Sequence, residues 1–476
     1  MESERIQSHA SGIFPRDGNS RCSGTLGAWI VDNEGITPLR FIHDSRVPGI
    51  DTRNFSPSQI RSQPFSALRE YGAYSSRNDH DYTEFALIVP YSRSFVMDES
   101  FDFDTIIERR NTNSVKWDAY GSRDIIPLWV ADMDFRSPPQ VMESLHTRVD
   151  HGVFGYTAPP PELAKILGDK FEDLYGWRIE EEWITWLPGL VCGINIACLL
   201  AGERGDAVIT STPVYPPFLR APTNTGRTLR TVPMINDDGR WRHDISALEE
   251  IAHGSSLYLL CSPHNPVGRV FTRREIEVVG DICEHEDILI CSDEIHGRLI
   301  LDDVNHIPTA SVSSTLADRT ITLVSPSKTF NLAGIGCACS IISNPVIRKR
   351  FRDSMKDVIP HVGIFGYEAA LSAYTYGESW LSALLDYLRS NRNFVEKWVV
   401  ETPGLTMSHV EATYLAWIDT RALGLDEPAR FFEKYGVGLW RGEDFGMPGF
   451  VRLNFACSIR LLDKALNRMG EAIAGI

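Results

Sequence analysis

Long apolar runs are missing from this chain: no stretch approaches the ~18 residues that a membrane-spanning helix needs, so an integral membrane protein is not expected. An excess of basic charge is missing too. With 63 Asp plus Glu against 47 Lys plus Arg, and a formal charge of −16, the chain lacks the broadly basic surface that neutralises phosphates along a nucleic acid. Any anion it binds has to be met by a local pocket. The nine cysteines (Cys22, Cys192, Cys198, Cys261, Cys283, Cys291, Cys337, Cys339 and Cys457) include no CxxC pair and no HxxxH partner. No metal-ligand set is read from them, and they are expected as reduced core residues. Residues 1–25 carry charges and lack the apolar stretch of a secretion signal, so a cytoplasmic location is expected. Internal repeats and low-complexity tracts are absent as well.

What is present fits a two-domain globular protein, since single cores stop growing at roughly 250–300 residues and this chain has 476. Residues 1–100 are rich in Ser, Arg, Asn and Asp and are expected as a poorly ordered extension. Met97 stands just ahead of the informative region and is the expected alternative start, with residues 1–96 dispensable. From residue 101 short apolar runs alternate with amphipathic stretches, the pattern of βα units around a mainly parallel sheet. The fold class is α/β. Seven strands are expected near 183–187, 207–211, 229–234, 256–262, 288–292, 320–325 and 337–342, with a helix over 190–201 stopped by Gly202. A long helix over 380–400, strands near 413–420 and 450–456 and a closing helix from Ile459 form a smaller α+β domain. The expected division is an arm over 101–145 contributing to the small domain, a large domain over 146–380 and the small domain over 381–476.

Six elements carry chemistry. Ser325-Pro326-Ser327-Lys328-Thr329-Phe330-Asn331-Leu332-Ala333-Gly334 follows an apolar strand and puts Lys328 past its carboxyl end, the edge where open α/β sheets bind ligands. A desolvated lysine there has a depressed pKa and attacks an aldehyde. Ser292-Asp293-Glu294-Ile295-His296 ends another strand, where Asp293 can pair with a protonated pyridine nitrogen and keep the ring an electron sink. Asn265, in Cys261-Ser262-Pro263-His264-Asn265-Pro266-Val267-Gly268-Arg269, can donate to a phenolic oxygen. Gly189, Leu190 and Val191 open a helix whose backbone N–H groups can cradle a phosphate. Tyr215, in Thr212-Pro213-Val214-Tyr215, can stack on an aromatic ring, and Arg452, in an otherwise apolar strand, can grip a carboxylate bidentately. Singly, each has a plainer reading: a solvated lysine, a helix-capping acid, turn chemistry, a core tyrosine, a structural ion pair. All six in this order favour one joint site.

This order resembles the fold-type-I, aspartate-aminotransferase-like pyridoxal-phosphate superfamily over residues 115–475. Within it, Pro127-Leu128-Trp129-Val130-Ala131-Asp132-Met133-Asp134-Phe135, His151-Gly152-Val153-Phe154-Gly155-Tyr156, Pro263-His264-Asn265-Pro266-Val267-Gly268-Arg269 and Ser292-Asp293-Glu294-Ile295-His296 are similar to the MalY/PatB-type cystathionine β-lyases, or C–S lyases. The resemblance implies pyridoxal 5′-phosphate as cofactor, with Lys328 the Schiff-base lysine and proton carrier, Asp293 the partner of the ring nitrogen and Asn265 of the 3′-oxygen. Tyr215 would stack on the ring and His296 would lie beside it. Gly189, Leu190 and Val191 by backbone, with Ser325 and Ser327 by hydroxyl, would hold the phosphate. Tyr156 would reach the phosphate of a neighbouring subunit, which implies a homodimer with shared sites; Arg452, Trp129 and Ala131 would contact the amino-acid substrate. Two departures, Ser262 where this branch often has Asn and the stretch Ile335-Gly336-Cys337-Ala338-Cys339, bear on substrate choice.

The reaction so implied is β-elimination of a cysteine S-conjugate or cystathionine to a thiol, a keto acid and ammonia, in a setting such as sulfur-containing secondary metabolism. Transamination by the same residues is the alternative, and a pyridoxal-phosphate-binding regulator a second one. Leaving group and reprotonation geometry decide between the first two, and neither is written in the motifs.

Overall fold

A computed structural model of the chain describes residues 101–476 and, ahead of them, the backbone of three short strands, Ala28–Asp32, Gly35–Leu39 and Ile88–Pro90, joined in one small sheet. The rest of the expected N-terminal extension, Met97 included, lies outside the described residues. Residues Met1–Ser100 and Phe101–Ile476 form separate units, and the second carries the site.

The second unit is built on a seven-stranded sheet: β1 (Ile184–Leu187), β2 (Ala207–Thr212), β3 (Thr228–Pro233), β4 (Ser255–Cys261), β5 (Leu289–Asp293), β6 (Thr320–Val324) and β7 (Ala338–Ile341). Their spatial order is β1-β7-β6-β5-β4-β2-β3. Neighbours pair in parallel except around β7, which runs antiparallel to both β6 and β1. Strands β2, β6 and β7 are buried along their whole length, as strands covered on both faces must be, and only the edge strand β3 shows solvent-facing positions. One face packs Leu257, Leu259, Ile321 and Leu323 against the helix Leu190–Leu200. The opposite face packs Tyr258, Leu260 and Ile290 against Ile276 and Val279 of the helix Arg273–His285. That second helix starts on a capping box, in which Thr272 and Glu275 satisfy each other's backbone N–H.

The helix after Gly189 ends at Leu200, one residue earlier than expected, and Gly202 follows in the left-handed region at φ 64°. A side chain at Gly202 would lie 2.2 Å from Asp206 Oδ2, so both conformation and space demand glycine there.

A smaller antiparallel sheet comprises β8 (Thr406–Met407), β9 (Leu415–Asp419), β10 (Trp440–Arg441) and β11 (Phe450–Asn454) in the order β8-β9-β11-β10. Leu384, Leu388 and Val395 of the helix Glu378–Glu401 and Leu462, Leu466 and Met469 of the helix Ile459–Ala474 share its core with Leu415 and Leu453. β9 begins at Leu415 rather than 413 because Thr413 adopts φ 78°, which no strand residue does. The segment 126–134 is laid along this sheet: Ile126–Pro127 pairs with Val437–Gly438, Asn454 N donates to Leu128 O at 2.8 Å, and Asp134 N donates to Ala456 O at 2.9 Å.

Candidate active site

Every element expected to carry chemistry on the large sheet emerges from the same edge, the carboxyl ends of its parallel strands. Lys328 sits in the short helix Pro326–Thr329 past β6, which Ser325 starts by accepting a hydrogen bond from Ser327 N at 3.1 Å. Asp293 closes β5, Asn265 lies in the turn past β4, Tyr215 past β2 and Gly189 past β1. The Tyr215 and Asn265 turns are joined directly, Tyr215 N donating to Asn265 O at 3.1 Å.

Burial moves several groups in this pocket away from their ordinary values. The Lys328 amine is pushed down to about 8, burial outweighing the opposed fields of Asp132 and Asp293 on one side and Arg452 on the other. Its Nζ donates to Ala131 O at 2.8 Å, a carbonyl that also accepts from Tyr414 Oη at 2.8 Å. The Asp293 carboxyl is pushed up to about 7 by burial; it accepts from Ile295 N at 3.1 Å and makes no ion pair among the described residues. A buried carboxylate in that state awaits a cation.

Arg452, inside β11, is fully buried. It donates from Nη1 to Asn265 Oδ1 at 3.0 Å and from Nη2 to Trp129 O at 2.7 Å, while its guanidinium lies 4.5 Å from the Trp440 ring centroid and 4.9 Å from that of Phe445. Its Nε is buried with no hydrogen-bond partner. The neighbouring strand position Asn454 donates to Val130 O at 2.6 Å and to Asp132 O at 2.7 Å. One strand thus grips the 129–132 segment through three backbone oxygens. His296 is buried, its Nδ1 unpartnered, and burial together with the Lys328 and Arg452 charges pushes its imidazole down to about 3, so it is neutral at physiological pH.

Past β1, Gly189 caps the helix Leu190–Leu200, so the Leu190 and Val191 amides are among the first-turn N–H groups that have no intrahelical acceptor. Ser325 Oγ lies 2.6 Å from Cys337 O and 2.9 Å from Ser327 Oγ. Trp129 holds its indole N–H on Lys116 O at 3.3 Å and packs edge-on to Trp440. Tyr156 stands apart from all of these: it is fully exposed, as are much of Val153 and Phe154 beside it.

Three contributors escaped the sequence. Asn331 has φ 55°, takes Met133 N at 3.0 Å on Oδ1 and donates from Nδ2 to Met133 O and Phe135 O, docking the 129–135 segment beside Lys328. Its asparagine identity, which tolerates the left-handed region, was the available signal. Asn454 and Tyr414 offered none, because each reads as one more residue of a buried strand.

The pocket fits pyridoxal phosphate on its own observations. It offers a lysine with a partly neutral amine, a buried carboxyl without a cation, helix-terminal N–H groups for a phosphate and a buried guanidinium with an unused N–H. Comparisons with known proteins agree in kind. The family described as aminotransferase class I and II matches residues 123–469. Cystathionine β-lyase PatB of Bacillus subtilis (strain 168) is 36% identical over 386 residues, covering 78% of this chain and all of that protein. The solved structure of OvoB superposes with a TM-score of 0.78 at 44% identity, covering 79% of this chain and all of that one. Cystalysin from Treponema denticola, whose structure contains pyridoxal 5′-phosphate, has a TM-score of 0.76 at 36% identity, with 79% and 99% of the two chains covered.

Proposed function

The chain belongs to the class I and II aminotransferase family, in its cystathionine β-lyase branch, and from that premise we propose that it is a pyridoxal-phosphate C–S β-lyase releasing a thiol, a keto acid and ammonia from cystathionine or a cysteine S-conjugate. When bound, the cofactor supplies an electron sink for the carbanion formed at the substrate Cα. The residues supply the rest. Lys328, with its amine near 8, exists in part as the free base at neutral pH, and takes the proton from Cα and holds it. Asp293 supports the ring nitrogen in its protonated form, Asn265 the 3′-oxygen and Tyr215 the ring face. Gly189, Leu190, Val191, Ser325 and Ser327 hold the phosphate, and His296 lies beside the ring as a neutral imidazole. Arg452 turns its free Nε edge to the substrate carboxylate, fixing which Cα substituent faces Lys328. Trp129 and Ala131 line the substrate side. Tyr156, fully exposed on one protomer, completes the phosphate site of a second copy in a homodimer.

The observation that carries this reading is a lysine amine and an unpaired aspartate at one sheet edge, with a guanidinium that lacks an anion opposite them. The test is to incubate the holoenzyme with cystathionine, or an S-alkyl cysteine, with and without an added 2-oxo acid. Keto acid and ammonia in equal amounts without the 2-oxo acid is the expected result. Turnover that requires the 2-oxo acid and leaves the C–S bond intact would make the protein an aminotransferase.

A further inference from the structure

Tyr414 is fully buried and its ring belongs to the core of the small sheet, yet its hydroxyl reaches out of that core to the segment beside Lys328. Its hydroxyl has one hydrogen-bond partner among the described residues, Ala131 O at 2.8 Å. The Lys328 amine takes the same carbonyl oxygen at 2.8 Å, so phenol and amine lie side by side on one acceptor. The Tyr414 ring stands edge-on to His296 at 6.1 Å between centroids.

The backbone shows how it is aimed. Thr413, immediately before it, holds φ 78°, a conformation that a β-branched residue adopts only when its surroundings impose it. Those surroundings are on both sides: Ala412 N donates to Gly268 O at 2.9 Å, Thr413 N to Leu299 O at 2.8 Å, and Phe455 N to Tyr414 O at 3.0 Å. Strain of this kind collects where a side chain must point in one direction.

We propose that Tyr414 is a positioning residue for Lys328: its hydroxyl fixes the Ala131 carbonyl as the station of the lysine amine and shares that carbonyl's lone pairs with it. The proposal rests on Lys328 being the cofactor lysine. Besides Tyr414, the charged or titratable groups that face this amine are Asp132, Asp293, His296 and Arg452. A hydroxyl donating to the carbonyl weakens it as an acceptor, and an ammonium needs a strong acceptor more than a neutral amine does. Tyr414 therefore favours the free amine. Burial holds its own phenol well above the ordinary range, so it stays a donor throughout.

The test compares Tyr414→Phe with wild type, each prepared without cofactor. The rate of cofactor uptake is followed by visible absorbance as a function of pH, because only the free amine attacks the aldehyde. The midpoint is expected to rise by about half to one pH unit, the equivalent of one neutral hydrogen bond. In the reloaded variant kcat should fall about tenfold with KM nearly unchanged, cofactor stoichiometry remaining one per chain. Tyr414→Leu, which removes ring and hydroxyl together, should give the same midpoint shift with a lower Tm. Unchanged midpoint and kcat in Tyr414→Phe would overturn the proposal, as would a shift seen only in Tyr414→Leu, which would assign the effect to ring packing. The uptake midpoint needs no substrate, so a chain that proved to transaminate rather than eliminate would leave this test intact.

Discussion

Arg269, on the turn past β4, and Arg452, inside β11, are 2% and 0% exposed, yet the chain neutralises only the first. Arg269 meets Glu411 Oε2 from Nε at 2.9 Å and Glu275 Oε2 from Nη2 at 3.0 Å, and donates from Nη1 to Trp241 O. Arg452 meets an amide oxygen, a backbone carbonyl and two aromatic faces, with Nε left over. The carboxylates divide in the same way. Glu411 receives Arg269 and the Val270 N–H at 2.7 Å, whereas Asp293 receives the Ile295 N–H alone. A buried charge without its opposite is costly, and a fold has no use for it on its own account. The first pair joins its own counter-ions within the chain; the second is left without any among the described residues, as the proposed cofactor and substrate sites require.

Substitutions at the two arginines should sharpen this contrast. Arg452→Met removes the carboxylate grip and should lower kcat/KM by about a thousandfold, the worth of two charged hydrogen bonds, with cofactor stoichiometry unchanged. Its Tm should be no lower than wild type, because an unneutralised buried charge is removed along with the side chain. A loss of cofactor together with a fall in Tm would place Arg452 with Arg269 as a structural ion. Arg269→Met leaves Glu275 and Glu411 with only the half-exposed Arg240 as counter-ion, 4.0 and 3.9 Å away, and should lower unfolding stability by about 3 kcal/mol, read as a fall in the urea midpoint. A midpoint equal to wild type would show that its ion pairs hold nothing.

The same division explains what was legible in the sequence. Lys328, Asp293, Asn265, Tyr215 and Gly189 each follow an apolar run by a fixed few residues, and a strand end in a parallel sheet is a local pattern. All seven strands of the large sheet fall within a few residues of their expected places for that reason. The antiparallel sense of β7 was not legible, since a buried strand reads the same in either direction. Nor were Tyr414, Asn454 and Asn331, whose work is done on backbone oxygens of residues 130–135. A carbonyl acceptor has no residue type, so a side chain that serves one leaves no pattern of spacing. Thr413 illustrates the limit: its left-handed backbone is forced by partners at 268, 299 and 455, far away along the chain.

Asp293 gives the finest test of the contrast, because its lack of a cation makes a statement about pH. Its carboxyl titrates at about 7 in the folded chain against an ordinary 3.8, so folding favours the protonated form. Below 3.8 the folded and unfolded chains both carry the proton and nothing is lost. Between 3.8 and about 7 the unfolded chain ionises while the folded chain holds its proton, so stability falls as pH rises, and above 7 the loss is complete. Asparagine never ionises. The cofactor-free Asp293→Asn variant should therefore match wild type near pH 4 and exceed it by about 4 kcal/mol at pH 8, as read from urea midpoints at each pH. The gain should reverse once cofactor is added, since the carboxylate then has its pyridinium and the amide does not. A difference that stays flat across this pH range would mean that Asp293 is already neutralised without cofactor, and the likeness drawn between it and Arg452 would fail.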